Sequence, residues 1–390
     1  MPERADSSPA WIVRRAVKVA VAGALIAAGA NRAIAAVRRR EAGGARVVVL
    51  SYHRVAADFE RGAAGGLASM LVSAATLRRQ LEQVARTHDV VSMSDAARIL
   101  SEPRGTARRD VATVTFDDGY ADNHDVALPV LRALRMPATV YVATGFTGTR
   151  HRMLHDRIFA ALTALARRGE APRRISLAGP AHALYGACAR SGPASTLDRL
   201  IARVPHDGLV LVTEALEARA GIREEDLPAG TRLLDWEELR ALEAGGVEVG
   251  GHSVRHAVLA NLPLAEARRE IVGCRDQIAE RLGKRPRHFA YPNGYHTPAV
   301  RRAVAGAGFE TAATTEDREN LRGADLLALR RKVLWENSTL GPVGYSPALA
   351  ACAFDGVFHA LRLARAVHGE RTDASEGSSA DEGEPERAAS

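Results

Sequence analysis

From Arg46 onward, strand-like stretches alternate with helix-like ones, and this rhythm limits the possible folds more than any other feature of the sequence. Residues 47–52 (Val-Val-Val-Leu-Ser-Tyr) form an apolar, β-branched run of the kind that is buried on both faces. Ser73 can cap a helix reaching about residue 86, and residues 90–91 read as a short strand before a helix that follows Ser94. Residues 112–116 form a second buried strand, followed by a helix over 122–134 and a strand over 138–143. The alternation resumes late in the chain. Helices are expected at 235–244, 264–282 and 298–307, with strands at 247–250, 288–291 and 311–314 and a strand-like stretch at 329–334. Strands alternating with helices imply an α/β fold with a largely parallel sheet or barrel.

Residues 146–230 break this rhythm. Helical segments near 154–168, 195–204 and 212–220, joined by Gly- and Pro-bearing loops, read as a helical insertion near the substrate side. Three units follow: an N-terminal segment over 1–45, a barrel over 46–366 and a tail over 367–390. The tail is rich in Ser, Glu, Gly and Ala, cannot bury a core and is expected to be disordered. The net charge of +7 is uneven, because residues 1–46 carry nine Lys/Arg against three Asp/Glu. A local excess with no recognition motif argues against nucleic acid as a partner. Residues 11–40 read as one Ala-rich helix that places Arg14, Lys18, Arg32 and Arg39 within about 60° of one another. Such a helix suits an anionic membrane surface, and a peripheral membrane location is expected. A cleaved signal ending near Ala28-Gly29-Ala30, with secretion or a periplasmic location, is the other reading, and a helix packed on the domain is a third. Cys188, Cys274 and Cys352 fit neither a disulfide framework nor zinc-ligand spacing and read as small buried residues.

Three short stretches carry chemistry, each at the end of an expected strand. Asp117-Asp118-Gly119 pairs two adjacent carboxylates, which are costly unless a cation neutralises one of them; by itself it reads equally as a solvated turn. His252-Ser253-Val254-Arg255-His256 sets two imidazoles four residues apart, able to converge on one cation, although spacing alone does not establish that they do. Ser253 stands where a zincin helix needs Glu. Phe289-Ala290-Tyr291-Pro292-Asn293-Gly294 runs from a strand into a turn, either a plain turn or a wall presenting backbone N–H groups to an oxyanion. All lie at carboxyl ends of strands, where parallel α/β folds build their sites.

Together Thr115-Phe116-Asp117-Asp118-Gly119-Tyr120, His252-Ser253-x-x-His256 and Phe289-x-Tyr291-Pro292-x-Gly294 resemble the polysaccharide deacetylase family with the NodB homology domain, carbohydrate esterase family 4. Tyr52-His53-Arg54-Val55 resembles the opening of its exopolysaccharide-associated branch, and the likeness spans roughly residues 47–335. The resemblance implies a distorted (β/α) barrel, here with the helical insertion and the basic N-terminal helix. It implies a divalent cation, zinc first and cobalt or nickel next, on Asp118, His252 and His256. Asp117 would be the base toward a water the metal activates, and Tyr291, Pro292 and Asn293 would face the substrate and its oxyanion. The implied reaction removes N-acetyl groups from an amino-sugar polysaccharide or a lipid-linked oligosaccharide. An O-acetyl ester hydrolase on the same site, or a non-catalytic carbohydrate-binding barrel, are the alternatives.

Two departures stand out. The arginine that many members carry two residues before the motif proline is Ala290 here, so Arg330 or Arg331 becomes the candidate for orienting the base. The late Leu-x-His motif that supplies the acid is missing; as in circularly permuted relatives, His53 at the end of the first strand becomes the candidate acid. Asp156, within Met153-Leu154-His155-Asp156-Arg157, either lines the substrate groove or pairs with Arg157, and Trp236 reads as a packed helix-start residue.

Overall fold

A computed structural model describes residues 9–64, 66–102 and 109–360. Seven strands run parallel in the order β7-β1-β2-β3-β4-β5-β6. They are β1 (Val47–Tyr52), β2 (Asp110–Phe116), β3 (Ala138–Val142), β4 (Val247–Gly251), β5 (His288–Ala290), β6 (Thr311–Ala313) and β7 (Arg331–Val333). A bridge between Ala313 and Leu329 nearly closes the ring, and a short strand, His88–Val90, joins the start of β2. Every residue of β1, β2 and β3 is buried. That accounts for their unbroken apolar runs, since a barrel strand is covered by helices outside and by the packed lumen inside.

Helices α1 (Pro9–Ala27) and α2 (Ala30–Ala42) precede the barrel. The barrel helices are α3 (Ala74–Ala85), α4 (Met93–Ser101), α5 (Leu128–Leu134), α10 (Trp236–Ala244), α11 (Leu264–Leu282) and α12 (Pro298–Gly306). Ser73 caps α3 by accepting from the Thr76 N–H, as its sequence position predicts. The α4 cap is Ser92, so that helix starts one residue before Ser94 rather than after it. Within the expected 122–134 helix, the first turn (Asn123–Ala127) is widened to the π form ahead of α5. The insertion holds α6 (Leu154–Arg167), α7 (Gly179–Cys188), α8 (Pro193–Arg203) and α9 (His206–Ala220), which pack around their own apolar cluster. The additional helix is α7. Its Gly-Pro start and Ala-rich body lack a clear apolar stripe, and Tyr185 and Cys188 bury it nonetheless.

The N-terminal segment departs from the sequence reading. The expected single helix over 11–40 is two helices bent by 68°, because Gly29 adopts φ 71° between them. The bend separates Arg14 and Lys18 from Arg32 and Arg39, so no continuous basic stripe forms. Ala22 of α1 packs against Leu349 and Cys352 of α13 (Pro347–Phe354). All three cysteines are free and buried, as the sequence suggests. Trp236 is half-buried against the main core at the start of α10. The expected tail over 367–390 lies outside the described residues.

Candidate active site

The carboxyl ends of β1, β2, β4 and β5 open at one end of the barrel. The β1–β2 register pairs Tyr52 with Phe116, so the next residues, His53 and Asp117, emerge side by side. The β3–β4 register pairs Val142 with Gly251, and the His252 N–H donates to the Val142 carbonyl at 2.9 Å, fixing where that histidine leaves the strand. Five described non-glycine residues have positive φ, and four of them are here: Asp118 (72°), Ser253 (63°), His256 (55°) and Asn293 (58°). L-residues enter that region at a cost, and such strain clusters where side-chain direction has a use.

Asp118 faces both predicted histidines. Its Oδ1 lies 3.4 Å from His252 Nε2 and 3.1 Å from His256 Nε2. One ligand atom from each of the three residues lies within 4.8 Å of the others. His252 Nδ1 is 2.7 Å from the Ala290 carbonyl, which can only accept; Nδ1 therefore carries a proton, and Nε2 is the ring atom left facing Asp118. Asp118 is 3% exposed, and its Oδ2 has no hydrogen-bond partner. Burial alone would raise its pKa, yet the charge of His256 and the hydrogen bonds from both imidazoles hold the carboxyl well below its usual range. A buried carboxylate with an unpartnered oxygen beside two imidazoles suits a borderline divalent cation. The residues present fit the implied metal.

Asp117 is held differently. Arg331, fully buried, donates from Nη1 to Oδ1 and from Nη2 to Oδ2, each at 2.6 Å, and its Nε donates to the Thr314 carbonyl at 2.7 Å. Burial pushes the Asp117 carboxyl up, but the Arg331 charge and its two hydrogen bonds outweigh that, and the net shift is downward. Of the two candidate arginines, Arg331 therefore reaches Asp117 from β7. Arg330 is turned outward and pairs with Glu316 at 3.0 Å, because neighbouring strand residues point to opposite faces. His53 sits beside them, with Nε2 4.0 Å from Asp117 Oδ2 and a buried, unpartnered Nδ1. Burial lowers its pKa more than the flanking carboxylates raise it.

The β5 turn separates its three candidates. The Tyr291 ring stacks on His296, and its hydroxyl donates to the Leu327 carbonyl at 2.9 Å, so the side chain serves the core and not the cleft. Pro292 is buried. Asn293 lines the cleft with His155, His206 and His256, and its Oδ1 is buried without a partner. Of the three, Asn293 lines the cleft, while the Tyr291 aromatic ring is covered by the neighbouring apolar cluster.

Sequence reasoning missed one part of the site. Tyr120 is fully buried; its hydroxyl lies 2.8 Å from Asp156 Oδ2 and 2.7 Å from His155 Nε2. His155 Nε2 is in turn 3.9 Å from Asp118 Oδ2. The Tyr120 hydroxyl donates to the Asp156 carboxylate, so its oxygen is left to accept from His155 Nε2. Asp156 thus pairs with Tyr120, while Arg157 pairs with Glu217 at 2.7 and 2.8 Å. The signal was Tyr120 at the end of the Asp-Asp-Gly motif, but nothing in the sequence placed the insertion's first helix against it.

The chain matches the protein-family model described as polysaccharide deacetylase over residues 104–312, more than half its length. Its fold is similar to the Streptococcus pyogenes deacetylase PplD in complex with acetate, at 17% identity and a TM-score of 0.50, covering 77% of this chain and 96% of that one. It is likewise similar to IcaB from Ammonifex degensii, at 19% identity and a TM-score of 0.51, covering 80% of this chain and 98% of that one. At such identities the likeness is one of fold, the (β/α) barrel. A search of curated proteins finds no match.

Proposed function

This chain belongs to the polysaccharide deacetylase family, a hydrolase acting on amide bonds, and from that premise we propose that it removes N-acetyl groups from an amino-sugar polysaccharide or lipid-linked oligosaccharide in a metal-dependent reaction. One observation carries the reading: a carboxylate clamped by a buried arginine stands next in sequence to a carboxylate facing two imidazoles. The two acids have separate tasks because their neighbours differ, as paired catalytic carboxylates require.

Asp118, His252 and His256 would hold the cation, and the Ala290 carbonyl fixes the proton on His252 Nδ1, so that ligation would fall to Nε2. A zinc ion, or cobalt or nickel, would there polarise the acetamide carbonyl and lower the pKa of a water molecule. Asp117 accepts a proton from the attacking water. Arg331 keeps it ionised and fixes its plane, so no rotamer search precedes the transfer. His53 is the candidate acid toward the leaving sugar nitrogen: its Nε2 lies 4.0 Å from Asp117 Oδ2, from which it would receive the proton taken from water, and burial favours passing that proton on to the amine. The Asn293 backbone N–H is the candidate oxyanion donor, on a turn whose positive φ sets its direction.

The test is acetate release from a panel of N-acetylated oligosaccharides and lipid-linked sugars, with zinc, cobalt or nickel added and then chelated. Chelation should stop release. The Asp117→Asn variant should abolish turnover while elemental analysis still finds the metal bound. Release unaffected by chelation, or a fully active Asp117→Asn variant, would refute the mechanism. Faster release from O-acetylated counterparts assayed alongside the panel would reassign the enzyme to ester hydrolysis.

A further inference from the structure

Helix α1 is amphipathic in the wrong sense for a helix that meets water. At 100° per residue, Val13, Val17, Ala20, Val21 and Ala24 share one face, and all five are exposed, Val13 at 61% and Val17 at 58%. Its cations lie on other sides: Arg15 is half-buried over the Trp11 ring, and Lys18 lies over the Phe358 ring, 5.0 Å from its centroid. Burial and the neighbouring Arg15 and Lys332 push Lys18 down to about 8, so placing it on the domain side costs free energy. Five of the ten large hydrophobic residues exposed among the described residues fall between Ile12 and Val37. An apolar patch kept outward while a lysine is turned inward marks a contact surface and not a solvated face.

Charge identifies the partner. Arg14 borders the apolar face, and on α2 Arg40 lies one turn beyond the exposed Val37 while Arg32 is exposed further round; none of the three pairs with a carboxylate among the described residues. Among the described residues no single helix is long and apolar enough to cross a membrane, and the two helices that qualify together are bent by 68°. An apolar strip edged by unpaired arginines, on a helix whose other face is already docked on α13, suits the boundary between headgroups and acyl chains.

We propose that the outward face of α1 (Val13, Val17, Val21) seats the folded enzyme on an anionic lipid bilayer, with Arg14, Arg32 and Arg40 engaging the headgroups. The barrel stays outside the membrane, and the basic stripe read from the sequence is replaced as the contact by the apolar face. This goes beyond the deacetylase reading and stands or falls separately from it.

The test is co-sedimentation of the full chain with phosphatidylcholine vesicles, with and without phosphatidylglycerol, alongside size-exclusion chromatography. Binding should need the anionic lipid and weaken with salt. Val17→Glu/Val21→Glu should lower the bound fraction roughly tenfold or more, from the loss of two buried valines, with the thermal midpoint unchanged. Arg14→Glu/Arg32→Glu should reduce binding to anionic vesicles only. Val17→Ser/Val21→Ser repeats the test without added charge. No binding to anionic vesicles, or binding indifferent to the valine variants, overturns the proposal. So does a dimer that these variants make monomeric without any vesicle binding.

Discussion

Replacing Arg331 by methionine tests how far the site depends on one buried ion pair. The substitution keeps the volume of the stem and removes the fork that meets both Asp117 oxygens at 2.6 Å and the Thr314 carbonyl at 2.7 Å. Asp117 is 2% exposed, so solvent cannot replace the lost charge. Removing one partner of a buried pair costs about 3–5 kcal/mol, because the other is left as an uncompensated charge. Against a total stability of about 5–15 kcal/mol the protein should still fold, with a midpoint lower by roughly 6–15 °C. Most of the penalty belongs to the stranded carboxylate, and Asp117→Asn in the same chain should return about 2 kcal/mol or more. Neither variant should turn over substrate. Arg331→Lys should fall between, since one ammonium cannot reproduce the bidentate fork. The assay is urea denaturation with chelator present, so that metal binding does not mask the difference. A loss under about 1 kcal/mol in Arg331→Met, or no recovery in the double variant, would show that this pair does not hold Asp117.

Three other outcomes follow from individual contacts. Tyr120→Phe removes the hydroxyl shared by Asp156 and His155 and should cost about 1–3 kcal/mol in denaturation while elemental analysis finds metal content unchanged. Gly294→Ala should destabilise by about 1–3 kcal/mol or more, since Gly294 has φ 78° and an added Cβ would meet the Thr315 backbone nitrogen at 2.6 Å. Lys18→Met should stabilise the fold by about 1 kcal/mol near neutral pH, after allowance for the partly exposed site. The Lys18 pKa falls from 10.5 to about 8 on folding, so the penalty for the charged form is full below 8 and vanishes as pH rises through 10.5. Thermal melts of the two proteins should therefore converge across that window, and a constant gap would refute the assignment.

Local patterning alone determined much of this protein. The unbroken apolar runs at 47–52 and 112–116 marked buried parallel strands, and Asp117, Asp118, His252 and His256 stood where those strands and β4 end. Such features are legible because strand burial and turn chemistry act over a few residues. Gly29 was visible too, but a helix break depends on its φ, which composition does not report. The tertiary structure alone decided the rest, because each remaining contact joins residues distant in sequence. Arg331 reaches Asp117 across 214 positions, and Arg330 does not, through strand pairing that puts one side chain in the lumen and its neighbour outside. His155 meets Asp118 only because the insertion folds back over the barrel mouth. The Tyr291 ring went to the core and Lys18 to the domain side, outcomes set by which neighbours could cover them.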